Sequence, residues 1–571
     1  MGLSNIGCWV KGFKMKVFVK GKGQVNLSKN NFLAQGGEGK IYIKGKTAYK
    51  IYLDPSKMIP TAKIQELSCI SLPNIIRPEN VILNAKNDPI GYTMRYVKDT
   101  TSLCKIFTKS FKKRNNVQQG DVASLVKKLH DGVQHLHSHR ILVVDLNEMN
   151  FLLNSKLDDI YFIDTDSYQT KSYSATAIME SIRDRHSSTF NRNTDWFSFG
   201  IITFQMFIGI HPFKGKHSKF NTLDDRMINN ISVLNSSVSI PKLCASFDVI
   251  PQAYRDWYKA VFEEGKRVPP PGQLQDVVVI QPIVHTVKGS DNFNIEELQK
   301  YDSPIINCIY INGSRVAVTS SDVYINDKKR SSMANSAIGS SPKMGYLIAA
   351  TVKDGLVKLR NITMEKDINC TISAESVMSY NERIYVKNGL DVYEIKLTEI
   401  GNNIIASPTI VSNVMEKSTH VYEGVILQDL LGACYASVFP SPSAHVQSHL
   451  KELVGYKIVD AKYSNKVLMV IGEKKGKYDK FIFRFDSSHK SYDLSIKADI
   501  IYSGLNFVVL DNGLCVHMNE DENIELFSNK VGSSDTKVID DSNIDGDMSL
   551  YNNGNQVLFS KDNAIYKISL K

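Results

Sequence analysis

An α+β domain followed by an all-β domain is the fold that the order of apolar patterns predicts. Residues 25–270 read as strands first and helices later. A proline run, Arg267-Val-Pro-Pro-Pro-Gly272, then stops any regular element. Beyond residue ~300 short alternating apolar runs recur, cut by Asn, Asp and Gly at a near-regular spacing.

Composition bounds what these domains can be. The chain has 571 residues, about three or four domains' worth. Hydrophobic residues at 42% and charged residues at 22% exclude disorder as the dominant state. No stretch approaches the ~20 apolar residues of a transmembrane helix, so no membrane partner is expected. The first residues lack the apolar run of a signal peptide, and Ile6 stands where acylation of Gly2 wants Ser or Thr. The 8 cysteines are scattered with no CxxC, which argues against a zinc site or disulfide framework and fits a reducing, cytoplasmic compartment. Residues 1–270 carry a net charge of +15 and residues 271–571 a net of −5. The basic half suits phosphate-bearing or acidic partners, although ordinary solvated lysine explains it as well. The acidic half argues against nucleic acid.

In chain order, residues 1–24 form an N-terminal extension with a first strand. Val17–Val25 and Ile41–Leu53 alternate like strands. Leu125–His137 predicts an amphipathic helix with Leu125, Leu129, Val133 and Leu136 on one face. Asp195–Ile210 is largely apolar, as a helix at the centre of a lobe would be. Pro251–Phe262 is again amphipathic, residues 271–300 are a linker, and 301–571 form the all-β domain. There, turn-like points recur at Asn312, Gly345, Asn381, Glu423, Asn465, Gly504 and Asn553, most of them followed by two apolar strands. The gaps of 33 to 49 residues suit four-stranded propeller blades, about seven in number. The dipeptides of WD repeats are absent, and a pair of β-sandwiches is the competing architecture.

The chemistry concentrates in the first domain. Gly36, Gly37 and Gly39 lie between two strands, where backbone N–H groups without a Cβ in the way can approach phosphate oxygens. Lys50 sits among apolar residues in the next strand, a cation suited to α- and β-phosphates. The strongest signal is Val143-Val-Asp145-Leu-Asn-Glu-Met-Asn150, directly after the amphipathic helix. A loop carboxylate can orient a hydroxyl and accept its proton, and an amide five residues on can bind a metal; an Asx turn is the structural alternative. Asp164, at the end of the strand Ile160–Ile163, offers the hard oxygen that Mg²⁺ prefers. Asp195 opens the apolar helix, as its N-terminal cap, as an anchor of the Asp145 loop, or as both.

Glycine loop, strand lysine, Asp-x₄-Asn, strand-end Asp and Asp-Trp-x-Ser-x-Gly follow one another in protein-kinase order. Residues 25–270 resemble a bilobal eukaryotic-like protein kinase. More narrowly, Gly-Gly-Glu-Gly with Asp-Leu-Asn and Ile-Asp-x-Asp-Ser-x-Gln is similar to a bacterial and phage branch typified by tellurite-resistance-associated kinases. The resemblance implies ATP and Mg²⁺ as cofactors and a protein substrate. It assigns Lys50 to the phosphates, Asp145 as catalytic base, Asn150 and Asp164 to the metal, and Glu66 as the ion-pair partner of Lys50. It also pairs Arg267 with Glu180, the acid closing the activation segment. An acceptor on Ser or Thr is expected, with the propeller recruiting a partner or substrate.

The departures from the pattern are specific. Ala34 replaces the first glycine, and Val143-Val144 replaces His-Arg, so a phosphorylated activation loop lacks its usual docking charge. Asn147 replaces the lysine that faces the γ-phosphate. Thr165 and Asp166 replace Phe-Gly, making Asp166 a further metal ligand, a loop anchor, or both. A nucleotide-binding pseudokinase scaffold and a small-molecule phosphotransferase are the alternatives; Asp195-Trp-x-Ser-x-Gly and His211-Pro-Phe213 speak against the latter.

Overall fold

The computed structural model describes residues 14–175, 177–272, 292–401, 403–443, 445–533 and 535–571. Gly2, Cys8 and most of the expected linker therefore lie outside the described residues. The chain divides into an N-terminal and a C-terminal compact unit.

The N-terminal unit begins with a seven-stranded sheet. Its strands are β1 (Lys14–Val19), β2 (Gly23–Ser28), β3 (Phe32–Gln35), β4 (Gly39–Lys44), β5 (Thr47–Tyr52), β6 (Asn80–Leu83) and β7 (Pro89–Arg95), in the order β2-β1-β6-β7-β5-β4-β3. The expected run Val17–Val25 is two strands, because Gly21 and Gly23 at φ +80° and +87° make a turn inside it. The turn coincides with Lys20-Gly-Lys-Gly-Gln24, where the apolar alternation breaks. Ile41–Leu53 likewise folds as the β4–β5 hairpin, turning at Gly45. The extension thus supplies an integral strand, with Val17 in the core. Between β5 and β6 lies the short helix α1 (Thr61–Glu66).

The rest of this unit is mainly helical. β8 (Thr101–Ser102), β9 (Phe151–Leu153) and β10 (Ile160–Phe162) form a small sheet. The helices are α2 (Lys109–Arg114), α3 (Gln119–Ser138), α4 (Arg192–Ile208), α5 (Leu223–Ile228) and α6 (Gln252–Phe262). The expected apolar face of α3 is fully buried. A Cβ on Gly132 of this helix would collide with the ring of Phe162, so glycine lets α3 lie directly against β10. α4 is buried from Thr194 to Ile208 and ends at Gly209 in the left-handed region. Among the described residues no helix is long and apolar enough to cross a membrane.

The C-terminal unit contains seven four-stranded sheets among the described residues. Six are built from consecutive strands. The seventh pairs Phe293–Lys300 with Ala564–Leu570, followed by Gln556–Lys561 and Ser549–Asn553. The end of the expected linker is therefore a strand. Its carbonyls and amides complete the ladder of the last strand, a pairing across more than 260 residues that no local pattern announces. Apolar layers join each sheet to the next, as where Val318 and Ile338 meet or Leu427 and Phe483. The circuit closes where Tyr551, Leu558 and Ile565 pack with Cys308 and Ala317. Five of the seven turn points fall between the first and second strands of a sheet, while Asn553 ends the strand Ser549–Asn553 and Gly504 precedes the strand Phe507–Val509.

Candidate active site

The strand β5 delivers Lys50 because β5 is held between β4 and β7, with Lys50 opposite Tyr92. A Cβ on neighbouring Gly91 would collide with the Lys50 carbonyl, so only glycine allows this register. The glycine loop joins β3 to β4, with the Gly36 amide donating to the Gly39 carbonyl at 2.9 Å. A Cβ would meet nothing at Gly36 or Gly37, but would stand 2.8 Å from the Ile51 carbonyl at Gly39. The loop is open around Gly36 and Gly37, with the Gly36 amide spent on the Gly39 carbonyl, and Gly39 lets β4 and β5 close.

Lys50 is buried, and its Nζ lies 3.0 Å from Asp164 Oδ1 and 2.6 Å from Asp166 Oδ2. The Tyr52 hydroxyl donates to the same Asp166 oxygen at 2.6 Å. Burial alone would depress the Lys50 ammonium, but the two carboxylates outweigh it and push its pKa up. Burial would likewise raise Asp166, yet the charge and hydrogen bond of Lys50 and the Tyr52 hydroxyl hold it below the usual carboxylate range. The expected Lys50–Glu66 pair is not made. Glu66 ends α1 and accepts instead from the Ser172 amide at 3.3 Å. The α1 residue that reaches inward is Lys63, whose Nζ donates to the Asp166 carbonyl at 2.7 Å.

Asp145 and Asn150 come together. Asn150 Nδ2 donates to the Asp145 carbonyl at 2.9 Å and to its Oδ2 at 3.2 Å, and Asn147 Nδ2 donates to Oδ2 at 2.9 Å. Asn147, in the place of the expected lysine, thus braces the carboxylate. The other oxygen, Oδ1, accepts the Met179 backbone N–H at 2.8 Å. The loop behind them is strained, since Val144 is β-branched and sits at φ +62°. Asp195 offsets that strain by accepting the Val143 and Val144 amides at 2.8 and 2.9 Å, and its Oδ2 lies 2.8 Å from His137 Nε2. Asp195 is therefore the anchor of the loop and not the helix cap; Asn191 caps α4 through the Asn193 and Thr194 amides. Asp164 follows β10 in the left-handed region at φ +58°, and the Ile163 amide bonds the Asn150 carbonyl at 3.0 Å, tying the two segments together.

Arg267 does not meet Glu180, which faces Arg183 and Arg185. It makes a two-pronged pair with Asp184 at 2.6 and 2.7 Å while lying over the Phe197 ring. Burial raises the Asp184 carboxyl, but the Arg267 bonds hold it below its ordinary value. Asp184→Asn is expected to cost about 2–3 kcal/mol in urea unfolding at neutral pH. Because the folded pKa is depressed, the charge contribution is present above the unfolded value of ~3.9 and fades as pH falls through the folded one. The difference from wild type should shrink at low pH; an unchanged difference would refute an ionic role.

The oxygen donors of Asn150 and Asp164 suit a hard cation. Asp164 keeps 44% of its side chain exposed, and Asp166 Oδ1 is buried without a hydrogen-bond partner. Among the described residues no cluster of three His, Cys, Asp or Glu is placed to hold a metal by itself. The donor set therefore fits an ion that brings further oxygens with it, as a nucleotide's phosphates do.

Residues 54–246 match the family model of the protein kinase domain. The match starts beyond the glycine loop and Lys50 and includes Asp145, Asn150 and Asp164. Curated relatives are similar at low identity. The serine/threonine-protein kinase 17A of Oryctolagus cuniculus is 28% identical over 148 residues, covering 24% of this chain and 35% of that protein. The ribosomal protein S6 kinase alpha-3 of Homo sapiens is 26% identical over 208 residues, covering 33% and 27%. The striated muscle preferentially expressed protein kinase of Danio rerio is 27% identical over 144 residues, covering 24% and 5%. The chain thus spans between a twentieth and about a third of the length of these relatives. Among solved structures, the ROP18 kinase domain in complex with AMP-PNP and sucrose aligns with a TM-score of 0.33 and 16% identity, covering 46% of this chain and 82% of that one.

Sequence reasoning missed Tyr52, Lys63, Asp184 and Met179. Tyr52 was within reach, since it lies two residues from Lys50 on the same strand face. Met179 was not, because it acts through its backbone N–H.

Proposed function

We propose that the protein is a Mg²⁺- and ATP-dependent protein kinase acting on Ser or Thr of a protein substrate. The observation that carries this reading is the contact of Lys50 with Asp164, 114 residues apart in sequence. The open loop of Gly36, Gly37 and Gly39 receives the phosphates, and Lys50 pairs with them. Asp145 orients the acceptor hydroxyl and takes its proton at Oδ1 once the Met179 N–H has left that oxygen. Asn150 and Asp164 would hold Mg²⁺, which when bound neutralises charge on the transferring phosphoryl group.

The seven sheets of the C-terminal unit are read as a seven-bladed propeller, supported by their closed circuit of apolar layers, and its role as recruitment of a protein partner or substrate. The finer resemblance to the tellurite-associated bacterial and phage branch, and a cytoplasmic location, belong to this same reading.

Incubating the full chain with radiolabelled ATP, Mg²⁺ and generic protein substrates tests it. Label on protein Ser or Thr is expected, and label on a small molecule instead would make the protein a small-molecule phosphotransferase. Autophosphorylation within residues 167–194 is also expected, because that segment is rich in Ser and Thr. A second reading, a nucleotide-binding scaffold, is favoured by the Met179 N–H on the catalytic carboxylate. Mass spectrometry finding no phosphate anywhere would select it.

A further inference from the structure

The lysine of the phosphate site has a carboxylate partner, but not one from a helix. Asp166 Oδ2 lies 2.6 Å from Lys50 Nζ, and the pair is closed off from solvent, with 8% and 3% of the two side chains exposed. Three groups hold Asp166 in that position. Lys50 and Tyr52 bond its carboxylate, and Lys63 bonds its backbone carbonyl, while Tyr92 faces the pair from β7. Lys63 is itself 2% exposed, a cation on the inward face of α1 where pairing with Lys50 would need an acid. Burial of Lys63 depresses its pKa while Asp166 and Glu66 oppose that fall. Glu66 lies one turn further on and is spent on the Ser172 amide.

Resting on the kinase reading, we propose that Asp166 is the positioning residue for Lys50, held by Tyr52 and Lys63, and that the lysine is set for nucleotide phosphates without any contribution from Glu66. The two aspartates beside Lys50 thereby divide their work. Asp164, the more exposed, is available to leave Lys50 for a metal ion when nucleotide arrives. Asp166 stays, so the ammonium keeps one fixed counter-charge through the reaction cycle. Glu66 is therefore no switch for the Lys50 pair, and α1 bears on it through Lys63, whose bond to the Asp166 carbonyl a displacement of the helix would break.

The test uses the full chain and the variants Asp166→Asn, Glu66→Gln and Tyr52→Phe. One measurement is the extent of Lys50 acylation by trace acetic anhydride at one fixed pH, quantified on the Lys50 peptide as a report of how firmly the ammonium is held. The other is kcat and KM for ATP. Losing Asp166 removes the buried carboxylate that holds the Lys50 ammonium in place, so labelling at that pH should rise about threefold or more, with kcat reduced ~10–100-fold. Glu66→Gln should leave labelling, kcat and KM within about twofold, since Glu66 bonds the Ser172 amide and not Lys50. If Asp166→Asn fails to fold, Tyr52→Phe should still raise Lys50 labelling at that pH by about threefold, because Asp166 loses one of the bonds that fix it against the ammonium and the pair opens more often. A Glu66→Gln variant that matches Asp166→Asn overturns the proposal, as does unchanged Lys50 labelling in the Asp166 variant or, where that variant is unfolded, in the Tyr52 variant. A wild-type chain with no phosphoryl transfer would defeat the kinase reading alone, because the labelling still reports on the pair.

Discussion

Asp145→Asn is expected to lower phosphoryl transfer about 10³-fold, the scale of losing a positioned general base. The carboxylate is the only part of that residue the chemistry needs; its backbone carbonyl still accepts from Asn150 and its shape is kept. An amide puts its NH₂ toward either Met179 or the Asn147 and Asn150 donors, so one of the contacts that now brace Asp145 is exchanged for a repulsive one. That change should shift the melting temperature by only a few degrees. ATP affinity should stay within about twofold, since Asp145 is not a phosphate ligand in this reading. Single-turnover rates on a protein substrate decide the matter, and a rate equal to wild type would remove Asp145 from the reaction.

Asp164→Asn should cost a similar ~10²–10⁴-fold in kcat, and more than Asp166→Asn. Asp164 is set at the end of β10 with its carboxylate partly open, whereas the Oδ2 of Asp166 is committed to Lys50 and Tyr52. The Asp164 variant should also need more Mg²⁺ to reach half its maximal rate, which the Asp166 variant should not. Equal losses with equal Mg²⁺ dependence would give the metal to both carboxylates.

Much of this was legible from residue order because motif spacing survives folding. Asp145 and Asn150 meet because only four residues of one loop separate them, and Asp164 lies beside them because β9 and β10 form a hairpin. The apolar faces of α3 and α4 were readable for the same local reason. What failed was pairing over distance. Nothing in the spacing of Glu66 and Lys63 along six residues of helix says which one turns inward, and burial chose the lysine because a backbone carbonyl awaited it. Glu180 and Asp184 are both acidic and four residues apart, and only tertiary packing selects Asp184 for Arg267. In the second unit the inner strands announced themselves by apolar alternation. Outer strands such as Lys328–Ser331 and Thr536–Ile539 are short and mostly exposed, and left no such trace.

The seventh sheet also dictates an order of events during synthesis. Phe293–Lys300 is made early but finds its ladder only when Ala564–Leu570 has been translated. Closing a loop of that length costs entropy that grows slowly with size, yet the wait at the ribosome, at ~5–20 residues per second, lasts tens of seconds. Throughout that interval the strand edge at Phe293–Lys300 is unmatched and open to pairing with other chains. Nascent chains stalled shortly before residue 564 should therefore aggregate or hold chaperones more readily than chains stalled at residue 272, whose sheets and helices are already complete.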